Sequence, residues 1–276
     1  MVMKLVDIGV NLAHASFNSD REEVINRAIA AGVDIMIVTG TSIKGSREAF
    51  KLADNYPGKL YSTAGIHPHD ARHFNIEAVK ILRELAAHKN VVAIGECGLD
   101  FNRDFSPRDI QEKCFEAQVQ LASQLRMPLF LHERDAHQRF VEILKRYRDQ
   151  FNSAVVHCFT GSAQELNAYL DLNLHIGITG WICDERRGLH LRDLVRRIPL
   201  DRLLIETDAP FLIPRDLKPK PKTNRNEPSL LPHILNTVAR CMGKTSAEVA
   251  IATTEAAHTF FGIKDRNTFN KAGNDA

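Results

Sequence analysis

The chain has 276 residues, 44% of them hydrophobic and 25% charged, with a formal net charge of +2. Such a chain can bury one large core, and the near-balanced charge excludes a polycation that would hold nucleic acid through its overall field. No stretch approaches the roughly 18 apolar residues of a membrane span, and MVMKLVDIGVNL has no long apolar segment of the secretory kind.

Apolar runs alternate with helical patterns along the chain. Strands are predicted near 4–8, 33–39, 60–66, 91–95, 128–132, 154–157, 174–178 and 202–206. The runs show no polar alternation, which is the pattern of strands covered on both faces. Helices are predicted between and after them, near 19–31, 43–55, 76–88, 107–126, 136–149, 162–172 and 188–197. Ser19 and Asp20, Ser106-Pro107, and Ser162 are the expected starts of three of them, and Gly32 and Gly58 mark stops. Two more helices are predicted near 229–242 and 245–260. Eight strands with following helices make the count for an α/β (β/α)8 barrel, the alternative being an open doubly wound sheet. No GxGxxG follows an early strand, so a dinucleotide fold has little support. One domain over 1–263 is expected, with a polar tail over 264–276. The five cysteines are odd in number and far apart, which implies free thiols, a cytoplasmic location and no CxxC zinc site. A monomer is expected.

Five of the runs end in residues that bind metals: His67, Glu96, His132, His157 and Asp208. The first three intervals between them hold one strand-plus-helix unit each and the last holds two, and a parallel barrel would gather such ends on one face. Each residue has a plainer reading, as a paired Glu or a hydrogen-bonded His. Two His on consecutive strands beside a Glu favour a cluster of the Zn, Mn or Mg type. Glu206 and Asp208 are two apart and share a face of their strand. Asp208 is a candidate ligand or proton acceptor, with Glu206 deeper behind it. His67 precedes Pro68 and fits a contact to substrate phosphate or leaving group better than the primary metal site; His69 reads as a surface residue. Arg134, Arg186 and Arg225 are candidate phosphate contacts. Arg187, Arg215, Lys218, Lys220 and Lys222 add local positive charge, and Trp181 and Phe211 are candidates for stacking a base or for packing.

The stretches AGIHPHDA, VVAIGECGLDF, LFLHERDAHQRF, VVHCFTGS, IGITGWICDERRG, LLIETDAPFL and RNEP together resemble the TatD family of metal-dependent deoxyribonucleases, over about Asp7 to Gly262. The resemblance implies a TIM barrel of the metallo-dependent hydrolase type. It implies magnesium-dependent 3′-to-5′ exonuclease action on single-stranded DNA, with RNA as a further substrate and a role in DNA repair. It places metal ligands at Glu96, His132, His157 and Asp208 and further active-site positions at His67 and Glu206. The wider family carries Asp-x-His-x-His after the first strand, where this chain has Asp7-Ile8-Gly9-Val10-Asn11. Losing two imidazoles favours Mg²⁺ over Zn²⁺, with Mn²⁺ also suited, in a site of one or two ions. Two other readings compete: a metal-dependent amidohydrolase or esterase acting on a small molecule, and a non-catalytic binder whose metal site has decayed.

Overall fold

The structure is a computed structural model and describes residues 4–263. The tail expected over 264–276 lies outside the described residues. Eight strands form one parallel sheet in sequential order: β1 Leu5–Val10, β2 Val33–Val38, β3 Leu60–Ala64, β4 Val91–Asp100, β5 Leu129–Arg134, β6 Ala154–Val156, β7 His175–Ile178 and β8 Leu203–Ile205. The helices are α1 Arg21–Ala30, α2 Ile43–Asn55, α3 Ile76–Ala86, α4 Arg108–Leu125, α5 His137–Tyr147, α6 Ala163–Asp171, α7 Leu189–Leu194, α8 Leu231–Met242 and α9 Ser246–Phe261. The first and last strands meet at their C-terminal ends, where Asp208 N–H donates to Gly9 O at 2.8 Å and Asn11 N–H to Ala209 O at 2.7 Å. This is the (β/α)8 arrangement, and the open doubly wound alternative falls.

The unbroken apolar runs have a direct cause. Met36 and Val38, Leu129 and Leu131, Ala154 and Val156, and Leu203 and Ile205 belong to the layer between strands and helices. Their neighbours Ile35 and Ile37, Phe130, Val155 and Leu204 form a second cluster within the barrel. Both faces are therefore apolar, and the strand period of two is hidden in the sequence. Phe260 and Phe261 of α9 join the inner cluster and close the end opposite the site.

Local signals mostly match, with instructive exceptions. Ser162 caps α6 in a reciprocal box with Glu165. Asp20 stands before α1 without capping it, because its carboxylate is engaged by Arg225 and Arg27. Ser106 donates to His69 O and accepts from Arg72 N–H, so Pro107 leads into α4 uncapped. The predicted helix over 188–197 ends as α helix at Leu194 and finishes as a 3-10 turn, Val195–Arg197.

Candidate active site at the barrel mouth

β4 is five residues longer than predicted, and the difference builds the site. Gly95 pairs with Phe130 and Cys97 with Leu131, which leaves Glu96 as the extra residue of a bulge. Bulges re-aim side chains, and Glu96 N–H is caught by Gly40 O at 2.8 Å. Beyond it, Gly98 at φ 145° lies so close to β5 that a Cβ would collide with the His132 carbonyl. The strand then continues to Asp100.

Three imidazoles converge on one oxygen. Glu96 Oε1 lies 2.8 Å from His157 Nε2, 3.1 Å from His132 Nδ1 and 3.3 Å from His67 Nε2. His132 and His157 follow the inward-facing Phe130 and Val155 by two residues, so the strand period carries them into the barrel mouth. The His157 ring stacks on Phe130 with centroids 4.8 Å apart. Its Nδ1 is 3.3 Å from Glu206 Oε2, and Glu206 Oε1 accepts from Cys158 N–H at 2.6 Å. A carboxylate on one ring nitrogen orients the other toward an ion.

Glu206 also explains the departure at Gly9. A Cβ at residue 9 would collide with Glu206 Oε2, and one at Gly177 would come within 2.6 Å of Oε1. The carboxylate occupies the space that a side chain at residue 9 would need. Asn11 donates to Asp208 Oδ1 at 3.0 Å, so it acts on the neighbouring rim residue. Asp7, read in the sequence only as part of a motif, is fully buried and accepts from Thr207 N–H and Oγ1 at 2.9 and 2.5 Å, clipping β1 to the end of β8.

His67 stands in the same cluster, but its hydrogen bonds separate its role. His67 Nδ1 accepts from His69 N–H at 3.1 Å, which places the neutral ring's proton on Nε2. Burial, opposed by Glu96 and aided by His132, lowers its pKa to about 4. At neutral pH His67 is thus an uncharged N–H donor facing Glu96, a poor ion ligand through that atom despite its position. His132 differs: its buried Nε2 has no hydrogen-bond partner, and Asp100 Oδ2 is 3.4 Å away.

The charges are tightly coupled. Burial raises the Glu96 carboxyl, but the charge on His157 and the hydrogen bonds from His132 and His157 outweigh it and hold the group well below the ordinary range. Burial likewise disfavours His157 charging, yet Glu96 and Glu206 push it well above the ordinary range. Burial lifts Asp208 to about 7, with His157 opposing. A protonated imidazole thus bridges two carboxylates, a place that a cation can take on release of the proton. The orphaned His132 Nε2, the Glu206-oriented His157 and the Glu96 oxygen fit a divalent metal ion.

Around this centre, His69 proves to be more than a surface residue. It bonds Asp100 Oδ2 at 2.7 Å and packs against the exposed Phe105. Sequence reasoning missed Asp100, because the strand was predicted to stop at residue 95, whereas β4 runs on to Asp100. Glu133 points outward, as expected of the residue after His132, and accepts from Tyr169 OH at 2.8 Å. Arg134 is exposed and has no ion pair among the described residues, whereas Arg186 and Arg215 pair with Asp184 at 3.1 and 3.5 Å. Arg225 was expected to contact phosphate. It bonds Asp20 at 2.7 Å and Glu227 at 2.8 Å and covers the Phe17 ring, which makes it a clamp between the last loop and α1. Lys218, Lys220 and Lys222 are exposed, as is Phe211, whereas Trp181 is half-buried with Arg187 over its ring. An open groove of ≈ 700 Å³ starts at Asn11 and is lined by His14, Arg21, Thr41, Lys44 and Lys51 among others.

The chain is similar to known proteins along its whole length. The family described as TatD related DNase matches residues 6–262. A 3′-5′ ssDNA/RNA exonuclease TatD of Rahnella sp. (strain Y9602) is 53% identical over 262 residues, spanning 95% of this chain and all of the relative. Its counterpart in Escherichia fergusonii is 51% identical, spanning 94% of this chain and 99% of the relative. Among solved structures, YJJV, a TatD homolog of Escherichia coli K12, superposes with a TM-score of 0.86 at 28% identity, covering 96% of this chain and 100% of that one. A hydrolase TatD family protein of Entamoeba histolytica gives 0.84 at 25% identity, covering 95% and 99%. With a full-length family match, relatives sharing half its residues and the same barrel, this chain belongs to the TatD related DNases.

Proposed function

We propose that the chain is a divalent-metal-dependent 3′-to-5′ exonuclease acting on single-stranded DNA and on RNA, with Mg²⁺ as the working ion and a place in DNA repair. The observation that carries this reading is the convergence of His132 and His157 on Glu96 Oε1 beside an open, cation-lined groove. A small-molecule amidohydrolase would be better served by a closed apolar pocket. The relatives named above carry the same polarity and substrates in their names.

Glu96, His132, His157 and Asp208 would hold one or two ions, with Glu206 orienting His157. An ion held by these residues would supply Lewis acidity to a phosphodiester and to an attacking water. Asp208, a buried carboxylate at the rim bonded by Asn11, would accept that water's proton. His67 donates its Nε2 proton as a hydrogen bond to the phosphate or the leaving oxygen. Arg134 and Arg186 contact phosphates, Lys218, Lys220 and Lys222 draw in the strand, and Phe211 offers a face on which a base can stack. In this reading the protein works as a cytoplasmic monomer.

The test is Mg²⁺-dependent release of nucleotides from 3′-labelled single strands. Glu96→Gln, which keeps the shape and removes the charge, is expected to cost roughly a hundredfold or more in rate. A folded Glu96→Gln enzyme of near wild-type rate overturns the assignment, and so does a wild type that is equally active with chelator.

A further inference from the structure

A second set of donors lies outside this centre, where the segments after β7 and β8 meet α8. Cys183 ends the 3-10 turn Gly180–Cys183 and is fully buried. Asp216 stands on the segment after β8, next to Arg215 and just before the exposed Lys218, Lys220 and Lys222. His233 lies in the first turn of α8. One ligand atom from each of these three residues lies within 4.8 Å of the other two. His233 Nε2 and Asp216 Oδ1 are 2.6 Å apart, with side chains only 31% and 22% exposed.

We propose that Cys183, Asp216 and His233 form a second metal site, specific for a borderline-soft divalent ion of the Zn²⁺ class, which latches the basic segment onto the barrel. The donor chemistry separates it from the nuclease centre. That centre offers imidazole and carboxylate, whereas this one offers one sulfur, one nitrogen and one oxygen. Mg²⁺ demands hard oxygen ligands, while Zn²⁺ accepts all three types and completes a tetrahedron with water. The half-exposed Asp216 and His233 leave that fourth position a route to solvent. Loading is proton exchange without redox change: the Cys183 S–H proton leaves to solvent, the proton between His233 Nε2 and Asp216 Oδ1 leaves to solvent or is replaced by one on His233 Nδ1, and sulfur, nitrogen and oxygen bonds to the metal form. Burial pushes that thiol up to about 12, so loading strengthens as pH rises. In the metal-free protein the Asp216–His233 hydrogen bond keeps two of the donors together.

The latch has a functional consequence. Asp216 precedes three cations that have no ion pairs among the described residues, and fixing it limits the space over which they wander. Loading the site should therefore lower the KM for a single strand and leave kcat unchanged, because none of the three residues belongs to the nuclease centre.

The full chain loaded with Co²⁺ provides the direct test. A thiolate ligand gives a sulfur-to-cobalt charge-transfer band in the near ultraviolet, which oxygen and nitrogen ligands do not give. The band should appear in the wild type, vanish in Cys183→Ser and persist in Cys158→Ser. Trypsin cleavage after Arg215 and Lys222 provides a second readout. Zn²⁺ at ten times its Kd should slow it about tenfold, Mg²⁺ should not, and Asp216→Asn should lose the protection with its fold intact by circular dichroism. No band in the folded wild type, a band that survives Cys183→Ser, or equal protection by Mg²⁺ and Zn²⁺ would each overturn the proposal.

Discussion

Gly9→Ala tests whether Glu206 is locked in place. The new methyl would meet Glu206 Oε2 and come within 3.1 Å of Phe130 Cζ. Glu206 cannot retreat, because Cys158 N–H holds Oε1 at 2.6 Å and Gly177 leaves no clearance on the other side. Overpacking of this kind costs about 1–3 kcal/mol. Replacing Gly by Ala in extended backbone returns about 0.4–1 kcal/mol through the unfolded chain, so the net loss should be about 1–2 kcal/mol. In a Glu206→Ala background the obstacle is gone and the same change should become neutral or stabilising, a coupling of about 1–3 kcal/mol. Urea unfolding followed by far-ultraviolet circular dichroism in chelator measures all four proteins without linkage to metal. Nuclease rate should fall with stability, since a displaced Glu206 frees His157 Nδ1. Equal effects of Gly9→Ala in both backgrounds, or none in the wild type, would refute the reasoning.

His175 is buried beneath Phe260 at the end of the barrel away from the site, and burial, with Arg202 adding to it, lowers its pKa from 6.5 to about 4. The folded state binds the proton less well than the unfolded chain, so stability is full above pH 6.5 and falls as pH drops toward 4. The loss should reach about 2–3 kcal/mol, and His175→Gln should flatten that limb of a denaturant-midpoint profile; an unchanged limb counts against it. Thr207→Val removes the hydroxyl on Asp7 and should cost about 1–3 kcal/mol, read as a lower urea midpoint; an unshifted midpoint would show that the clip is idle. Arg225→Gln should lower stability by about 1 kcal/mol and leave the salt dependence of strand binding alone. Changing Lys218, Lys220 and Lys222 together to Gln should reduce the slope of log K against log salt by about 2, measured by fluorescence anisotropy; reversed outcomes would exchange the two roles.

The barrel was legible because its strands are apolar on both faces, and even terse ends such as SAVVH carried their histidine into the barrel mouth. The convergence of His132 and His157 was legible for a related reason: Phe130 to His132 and Val155 to His157 keep the strand period into the mouth. Glu96 was found although its cause was not, since a bulge is a relation between two strands. Asp100 was hidden because the apolar run stops at residue 95, and only the pairing with β5, which Gly98 permits by lying against the His132 carbonyl, carries β4 further. Arg225 was misread because its bidentate partner Asp20 lies 205 residues away and leaves no local trace, and Glu227 alone does not reveal the clamp. The tautomer of His67 was equally out of reach, since it follows from the His69 backbone N–H.

The clip between Asp7 and Thr207 joins residues 200 positions apart, and Asp208 follows directly. During synthesis Asp7 emerges first and waits, buried by nothing, until the eighth strand leaves the ribosome. Glu96, His132 and His157 all precede the eighth strand, whereas Glu206, which bonds His157, and the proposed proton acceptor Asp208 flank Thr207, the residue that closes the ring. The buried centre therefore cannot be completed before the eighth strand joins the first, so closing the ring and completing the site are one folding event.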